Sequence, residues 1–180
     1  MNWKTLSSKY LSKHIYFTAR EDRCEMPNGQ IVDPYFVVEL PTSVCAMAVT
    51  EDNEVILVQQ YRHPVEETLM EIPGGFVDHG ESSETAISRE LLEETGYEFS
   101  SCTFLARVAA NPGVLNNYTD LYLVTGGKKV AAQKLDVGEE IELKLVPLQA
   151  VRKMLLQNEF KQAMHAACLF YAFNELDRVK

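Results

Sequence analysis

Gly75-Phe76-Val77-Asp78-His79-Gly80-Glu81, continued through Arg89-Glu90-Leu91-Leu92-Glu93-Glu94-Thr95-Gly96-Tyr97, gathers six acidic side chains and three glycines around one short helical run. Residues three and four apart share a helix face, so Glu90, Glu93 and Glu94 project together and repel one another. Taking such a face out of water without a counter-charge is costly. Hard oxygen ligands of this kind favour Mg²⁺, with Mn²⁺ as the alternative. A charge run is ordinarily a solvated face; what sets this one apart is the pattern that flanks it. The helix is expected to begin near Glu81 or Ser82, with Ser82 or Ser83 capping its amides, and to stop at Gly96. Ala86, Ile87 and Leu91 then face a sheet, while Arg89 pairs with Glu93 one turn on and orients the acidic cluster.

Outward from that segment, alternating or apolar runs predict strands at 15–18, 35–40, 43–50 and 54–60. Pro27-Asn28-Gly29 and Glu51-Asp52-Asn53 supply the intervening turns. Further strands are expected at 103–109, 120–125 and 140–146, with Gly126-Gly127 closing one of them. Two helices follow. The first, 148–157, carries Val151, Met154 and Leu155 on one stripe. The second, 160–176, repeats Met164, Ala167, Cys168, Tyr171 and Phe173. Periodicity by itself says only α plus β.

The chain has 180 residues, 46% of them hydrophobic, which suffices for a core. Its 26 acidic against 17 basic residues give a net charge of −9. That balance disfavours nonspecific binding to nucleic acid or to an anionic membrane. An anionic substrate would need local metal or arginine. Residues 1–20 hold no continuous apolar stretch of signal-peptide length, so export is not expected. Cys24, Cys45, Cys102 and Cys168 are too scattered for a zinc or redox motif, which suits reduced thiols in the cytoplasm.

The spacing from Gly75 through Glu81, Arg89-Glu90, Leu91, Glu93-Glu94 and Gly96 resembles the Nudix box. The departure is Tyr97, where that family usually carries an aliphatic residue. The resemblance implies a Nudix α/β/α sandwich with a mixed β-sheet, and hydrolysis of a pyrophosphate bond. It implies residues 1–42 as an N-terminal antiparallel β-strand region for dimerisation and substrate contacts, and residues 43–180 as the hydrolase domain. By the same resemblance Glu90 and Glu94 are the principal metal ligands, Glu93 has a supporting or second-metal role, the Gly74 carbonyl is a further ligand, and Glu81 assists at longer range. Arg89 enters as an orienter more than as a catalyst. The segment Asp136-Val137-Gly138-Glu139-Glu140-Ile141-Glu142 resembles the catalytic loop of ADP-ribose pyrophosphatases, offering Glu139 or Glu140 as general base.

Two segments outside the box speak to the substrate. Gln59-Gln60-Tyr61-Arg62-His63-Pro64 and Asn111-Pro112-Gly113 resemble the ADP-ribose and nucleotide-sugar branch. Arg62 could clamp phosphate through its planar fork. Tyr16, Phe17 or Tyr35 could stack on the base, and Pro112 belongs to the substrate side. In Glu71-Ile72-Pro73-Gly74-Gly75, Gly74 replaces the alanine of many ADP-ribose enzymes, which blurs the border with other nucleotide-sugar hydrolases. The expectation is a homodimer through the N-terminal strands that splits a nucleoside diphosphate sugar, ADP-ribose first, into a nucleoside monophosphate and a sugar phosphate. A nucleoside-triphosphate hydrolase, a non-catalytic ligand sensor and an RNA-cap hydrolase are the rivals.

Overall fold

The computed structural model describes residues 1–14 and 17–178. Tyr16 and part of the strand expected at 15–18 therefore lie outside the described residues. The chain forms two compact units, Met1–Pro41 with Ala109–Tyr118, and Thr42–Val108 with Thr119–Lys180.

The first unit is a three-stranded antiparallel sheet of β1 (Lys4–His14), β2 (Phe17–Glu25) and β3 (Ile31–Glu39), in that order. Periodicity marks no strand at 4–14, although the resemblance implies an antiparallel β-strand region over 1–42. β1 is exposed along nearly its whole length, and a strand with neither face buried has no reason to alternate in sequence. Its register with β2 slips between Thr5 and Ser7 and again between Tyr10 and Ser12. In β2 the buried Asp22 accepts from Arg20 Nε at 3.0 and 3.1 Å, and Arg20 also pairs with Glu39. Segment 109–118 joins this unit through its backbone, Val38 N–H donating to Val114 O at 2.9 Å and Asn116 N–H to Val38 O at 3.2 Å.

The second unit contains β4 (Ser43–Thr50), β5 (Glu54–Arg62), β6 (Glu67–Glu71), β7 (Gly74–Phe76), α1 (Ser83–Thr95), β8 (Tyr97–Glu98), β9 (Ser101–Val108), β10 (Thr119–Lys129), β11 (Glu142–Pro147), α2 (Leu148–Leu156) and α3 (Ala163–Arg178). Its sheet runs β11-β5-β4-β10-β8, with β6 on β5, β7 on β4 and β9 on β10. β10 is parallel to β4 and the remaining pairs are antiparallel, so the sheet is mixed.

Strand alternation sends successive side chains to opposite faces, and the two faces build separate cores. Val44, Ala46, Ala48, Ile56, Tyr122 and Val124 meet Ala86, Ile87 and Leu91 of α1. Cys45, Met47, Val49, Leu57, Leu121 and Leu123 meet Val151 and Leu155 of α2 and Cys168, Leu169 and Phe173 of α3. Burying a side chain such as Ile87 or Leu91 is worth about 1.5–3 kcal/mol. Those two residues thereby seat α1 on the sheet, and the result is the α/β/α layering expected from the resemblance.

Several elements depart from expectation. β10 runs through Gly126-Gly127 to Lys129, because a register shift between Val124 and Gly127 absorbs the irregularity. Gly74-Gly75, where no strand was expected, pairs with Val44 and Cys45 as part of β7. α3 begins at Ala163, and its buried residues are His165, Cys168, Leu169, Ala172 and Phe173. Tyr171 is exposed, since the apolar surface of α3 is broad and the stripe can be drawn in more than one register. Among the described residues, no helix is long and apolar enough to cross a membrane.

Candidate active site

The site is built around α1. Ser82 is extended (φ −81°, ψ 152°) and its hydroxyl accepts from the Thr85 amide at 3.1 Å, which caps the helix. At the other end Gly96 adopts φ +72°, and a Cβ there would lie 2.1 Å from Ala131 O, so only glycine fits. Between the caps, one face is buried against the sheet and the other carries the carboxylates.

Arg89 organises that face. Its Nε and Nη2 donate to Glu81 at 3.1 and 3.0 Å, its Nη1 to Glu90 at 2.9 Å and Glu93 at 3.1 Å, and its Nη2 also to Phe76 O at 3.0 Å. Every N–H of the guanidinium is thereby taken. The Arg89 hydrogen bonds hold the Glu81 carboxyl below its usual range. Glu90 moves the other way, because burial outweighs the help of Arg89. A Cβ on Gly75 would lie 2.3 Å from Glu90 Oε1, so Gly75 is the space into which Glu90 reaches.

Glu94 is the buried member, 5% exposed. Its Oε2 accepts from the Gly74 amide at 3.0 Å. Burial pushes its carboxyl up to about 8, against the pull of the Gly74 amide and with added repulsion from Glu90 and Glu139. The structure thus joins Gly74 and Glu94 across two elements. Among the described residues no three acidic, histidine or cysteine side chains stand close enough together to hold a metal ion as they are; Glu81, Glu90 and Glu93 are each turned to the Arg89 guanidinium instead. The donor set nevertheless suits a hard divalent cation. A desolvated carboxylate at Glu94 holds one amide hydrogen bond and carries a raised pKa, which is the state that a nearby cation would relieve.

Glu139 lies on the loop between β10 and β11, and its charge bears on Glu90, Glu94 and Arg62. Its own carboxylate accepts from the Asp136 amide at 2.9 Å. Glu140 is exposed on the same loop. Arg62, at the end of β5, forms a two-point ion pair with Glu71, a residue 1% exposed. That pair raises the Arg62 pKa and leaves part of the guanidinium in solvent. Phe17 opens β2 as an exposed ring. Pro112 sits in segment 109–118, and Tyr35 O–H donates to Gly113 O at 2.9 Å while its ring meets Trp3 edge-on at 5.9 Å. These three belong to the first unit.

Sequence reasoning passed over Glu71, His165 and Gln133. Glu71 stands in the quoted Glu71-to-Gly75 stretch, but its role depends on Arg62 reaching along the β5–β6 hairpin past its register partner Glu67. His165 looked like one more position on an apolar helix. Gln133 Nε2 donates to Glu94 O at 2.8 Å and Ile141 O at 3.3 Å, a bridge that no spacing rule exposes.

Comparison with known proteins identifies the family. Residues 3–38 match the Nucleoside diphosphate sugar hydrolase N-terminal domain. The chain is 31% identical over 175 residues to an ADP-ribose pyrophosphatase of Bacillus subtilis (strain 168), covering 93% of this chain and 94% of that one. It is 35% identical over 141 residues to a methanol dehydrogenase activator of Bacillus methanolicus, covering 78% and 76%. A crystal structure described as an ADP compounds hydrolase superposes with a TM-score of 0.86 at 22% identity, over 98% of this chain and 95% of that one, which is a likeness of fold. The NUDIX domain profile matches residues 39–167, the span that holds α1, its carboxylates and the Glu139 loop, and the chain is accordingly a member of the Nudix family.

Proposed function

We propose that this enzyme hydrolyses the diphosphate bond of a nucleoside diphosphate sugar, ADP-ribose foremost, with Mg²⁺ as its ion and Mn²⁺ as a substitute. The observation that carries the reading is the desolvated Glu94 carboxylate beside Glu90, Gly74 and the charge of Glu139. Relatives whose names include ADP-ribose pyrophosphatase, and the match of residues 3–38, support the choice of substrate class.

Glu90, Glu94 and the Gly74 carbonyl would hold the ion, with Glu93 in support. When bound, it neutralises diphosphate oxygens and makes a nearby water more acidic. Glu139 is the base: it takes a proton from the attacking water as the water oxygen bonds to one phosphorus. The bridging P–O bond breaks, and its electron pair leaves on the departing phosphate. AMP and ribose 5-phosphate are the products from ADP-ribose. Arg89, with all its donors engaged, positions Glu81, Glu90 and Glu93 and does not touch substrate. Arg62 binds phosphate with the solvent-facing part of its guanidinium.

A homodimer through the N-terminal strands accompanies this reading. Exposed Leu6, Tyr10 and Leu11 on β1 and Phe36 on β3 support it, as does the 11-residue length of a strand with one edge unpaired among the described residues. Free thiols at all four cysteines suit the cytoplasm.

The test is turnover of ADP-ribose, GDP-mannose and a nucleoside triphosphate with Mg²⁺, with products identified, alongside the mass in solution. AMP from ADP-ribose at the highest kcat/KM is expected. Preference for the triphosphate overturns the substrate, and tight binding of ADP-ribose without AMP release overturns catalysis in favour of a sensor.

A further inference from the structure

The loop between β10 and β11 carries the proposed base, and its footing is unusual. Gly138 takes φ +99° with open space around it, and residues 136–140 are all exposed. The turn is closed by Glu139 N–H to Asp136 O at 3.1 Å and Asp136 N–H to the Glu139 carboxylate at 2.9 Å. Such a turn shapes the loop internally but does not fix it to the protein. Attachment comes at the base. Lys134 N–H donates to Glu93 O at 2.8 Å, and the Gln133 amide spans from Glu94 O on one side to Ile141 O on the other.

The chemistry of that amide is unambiguous. Both acceptors are backbone carbonyls, so only the NH₂ end of Gln133 can face them, and its two protons serve one carbonyl each. Glu94 O is among the terminal carbonyls that an α-helix leaves without an internal partner. Ile141 is buried and marks the point where the loop re-enters the sheet. Gln133 therefore ties three things together: the start of the loop, the end of the loop, and the residue of α1 whose carboxylate is the buried member of the site.

We infer that Gln133 is a positioning residue for hydrolysis, holding the Glu139 loop against the last turn of α1 so that the base stays in register with Glu90 and Glu94. The inference rests on Glu139 being the base. It acts through backbone placement and touches neither substrate nor ion. Small displacements of a catalytic group are expensive in rate, and the exposed turn at 136–140 depends for its placement on the base of the loop, where Gln133 acts beside the backbone bonds of Lys134 to Glu93 O and of Val130 and Ala131 to Gly96 O. Loss of the two hydrogen bonds should then lower kcat with KM nearly unchanged, because Arg62 and the carboxylates of α1 are untouched.

The experiment is a double-mutant cycle on the full-length protein, with ADP-ribose and Mg²⁺. Gln133→Met keeps length and removes both donors; Gln133→Lys restores a donor. Glu139→Gln is expected to lower kcat by at least roughly 100-fold, the lower end of what a general base contributes. Gln133→Met is expected to lower kcat roughly tenfold or more with KM within about twofold, Gln133→Lys to recover most of it, and the Gln133→Met/Glu139→Gln pair to be no slower than Glu139→Gln alone. Wild-type kcat in Gln133→Met, or multiplicative losses in the pair, overturns the inference while leaving Glu139 as base. Wild-type kcat in Glu139→Gln overturns the base assignment and the inference with it. Should Gln133→Met lose its cooperative melting transition, Gln133→Lys carries the test, and a kcat as low as that of Glu139→Gln in the folded Lys variant overturns the inference.

Discussion

Arg62 and Glu71 form a two-point ion pair, Nε to Oε1 at 3.0 Å and Nη2 to Oε2 at 2.6 Å, in which the carboxylate is buried and the arginine side chain is 42% exposed. A fork held at two atoms has its plane fixed, which is the state in which the proposed phosphate contact of Arg62 would be made.

Arg62→Ala should therefore fail twice. It strands a buried carboxylate, costing about 3 kcal/mol of stability, the lower end for such pairs because the arginine is partly hydrated. It also removes a phosphate contact, raising KM for ADP-ribose by roughly tenfold or more. Arg62→Lys keeps charge but not the fork, and should recover stability better than KM. Urea titration together with steady-state kinetics separates the two losses. Equal recovery of both by lysine would show that the fork geometry is irrelevant.

His165 lies under the same pair, its Nδ1 3.7 Å from Glu71 Oε2 and without a hydrogen-bond partner among the described residues. Burial pushes its pKa down to about 4, with Glu71 opposing and Arg62 assisting. An unfolded histidine titrates near 6.5, so between pH 6.5 and 4 the unfolded chain binds a proton that the folded chain refuses. Stability from this group is complete above about 6.5 and is lost as pH falls, by on the order of 3 kcal/mol at pH 4. The expected result is a shallower decline of folding free energy from pH 7 to 4 in His165→Gln than in the wild type, measured by denaturant titration at each pH. Parallel curves would assign the acid sensitivity elsewhere.

Glu94→Gln should raise stability and destroy activity. The carboxyl, ionised in the unfolded chain but held near 8 in the fold, must take up a proton to fold at pH 7.5, whereas the amide need not, so the ion-free variant should be more stable than wild type at that pH by on the order of 2 kcal/mol. Turnover should fall by at least roughly 100-fold with the loss of charge stabilisation. Mg²⁺ should raise the melting temperature of the wild type and leave that of the variant nearly unchanged. Near-normal turnover in the variant would remove Glu94 from the site.

Gly75→Ala tests the close approach of Glu90. The added Cβ would collide with Glu90 Oε1 at 2.3 Å, and the carboxylate, as the movable partner, has to yield. A fall in kcat of at least roughly tenfold is expected, with the thermal midpoint little altered because Glu90 lies at the cleft and not in either core. A variant of unchanged kcat would mean that Glu90 can sit elsewhere and still serve.

Legibility from sequence followed burial. β4 was readable to its ends because turn residues bracket an unbroken apolar run, and α1 because its caps, its apolar face and its charges each leave a separate mark on the spacing. β1 left none, its side chains being exposed on both faces. β7 was hidden by glycine, which is depleted in strands and pairs here through backbone alone. The carboxylates of α1 were readable because one helix presents them together. The partners Glu71 for Arg62 and Gln133 for Glu94 were not, because each link joins elements whose proximity exists only after folding.

β4 belongs to two cores at once. Its odd-numbered residues Cys45, Met47 and Val49 support α2 and α3, and its even-numbered Val44, Ala46 and Ala48 support α1. Position parity on this one strand thus sorts mutations by consequence. An altered volume at an odd position is absorbed on the side remote from the carboxylates and registers as lost robustness. The same alteration one residue along tilts the platform under Glu90 and Glu94, and registers as lost chemistry in a protein that still folds.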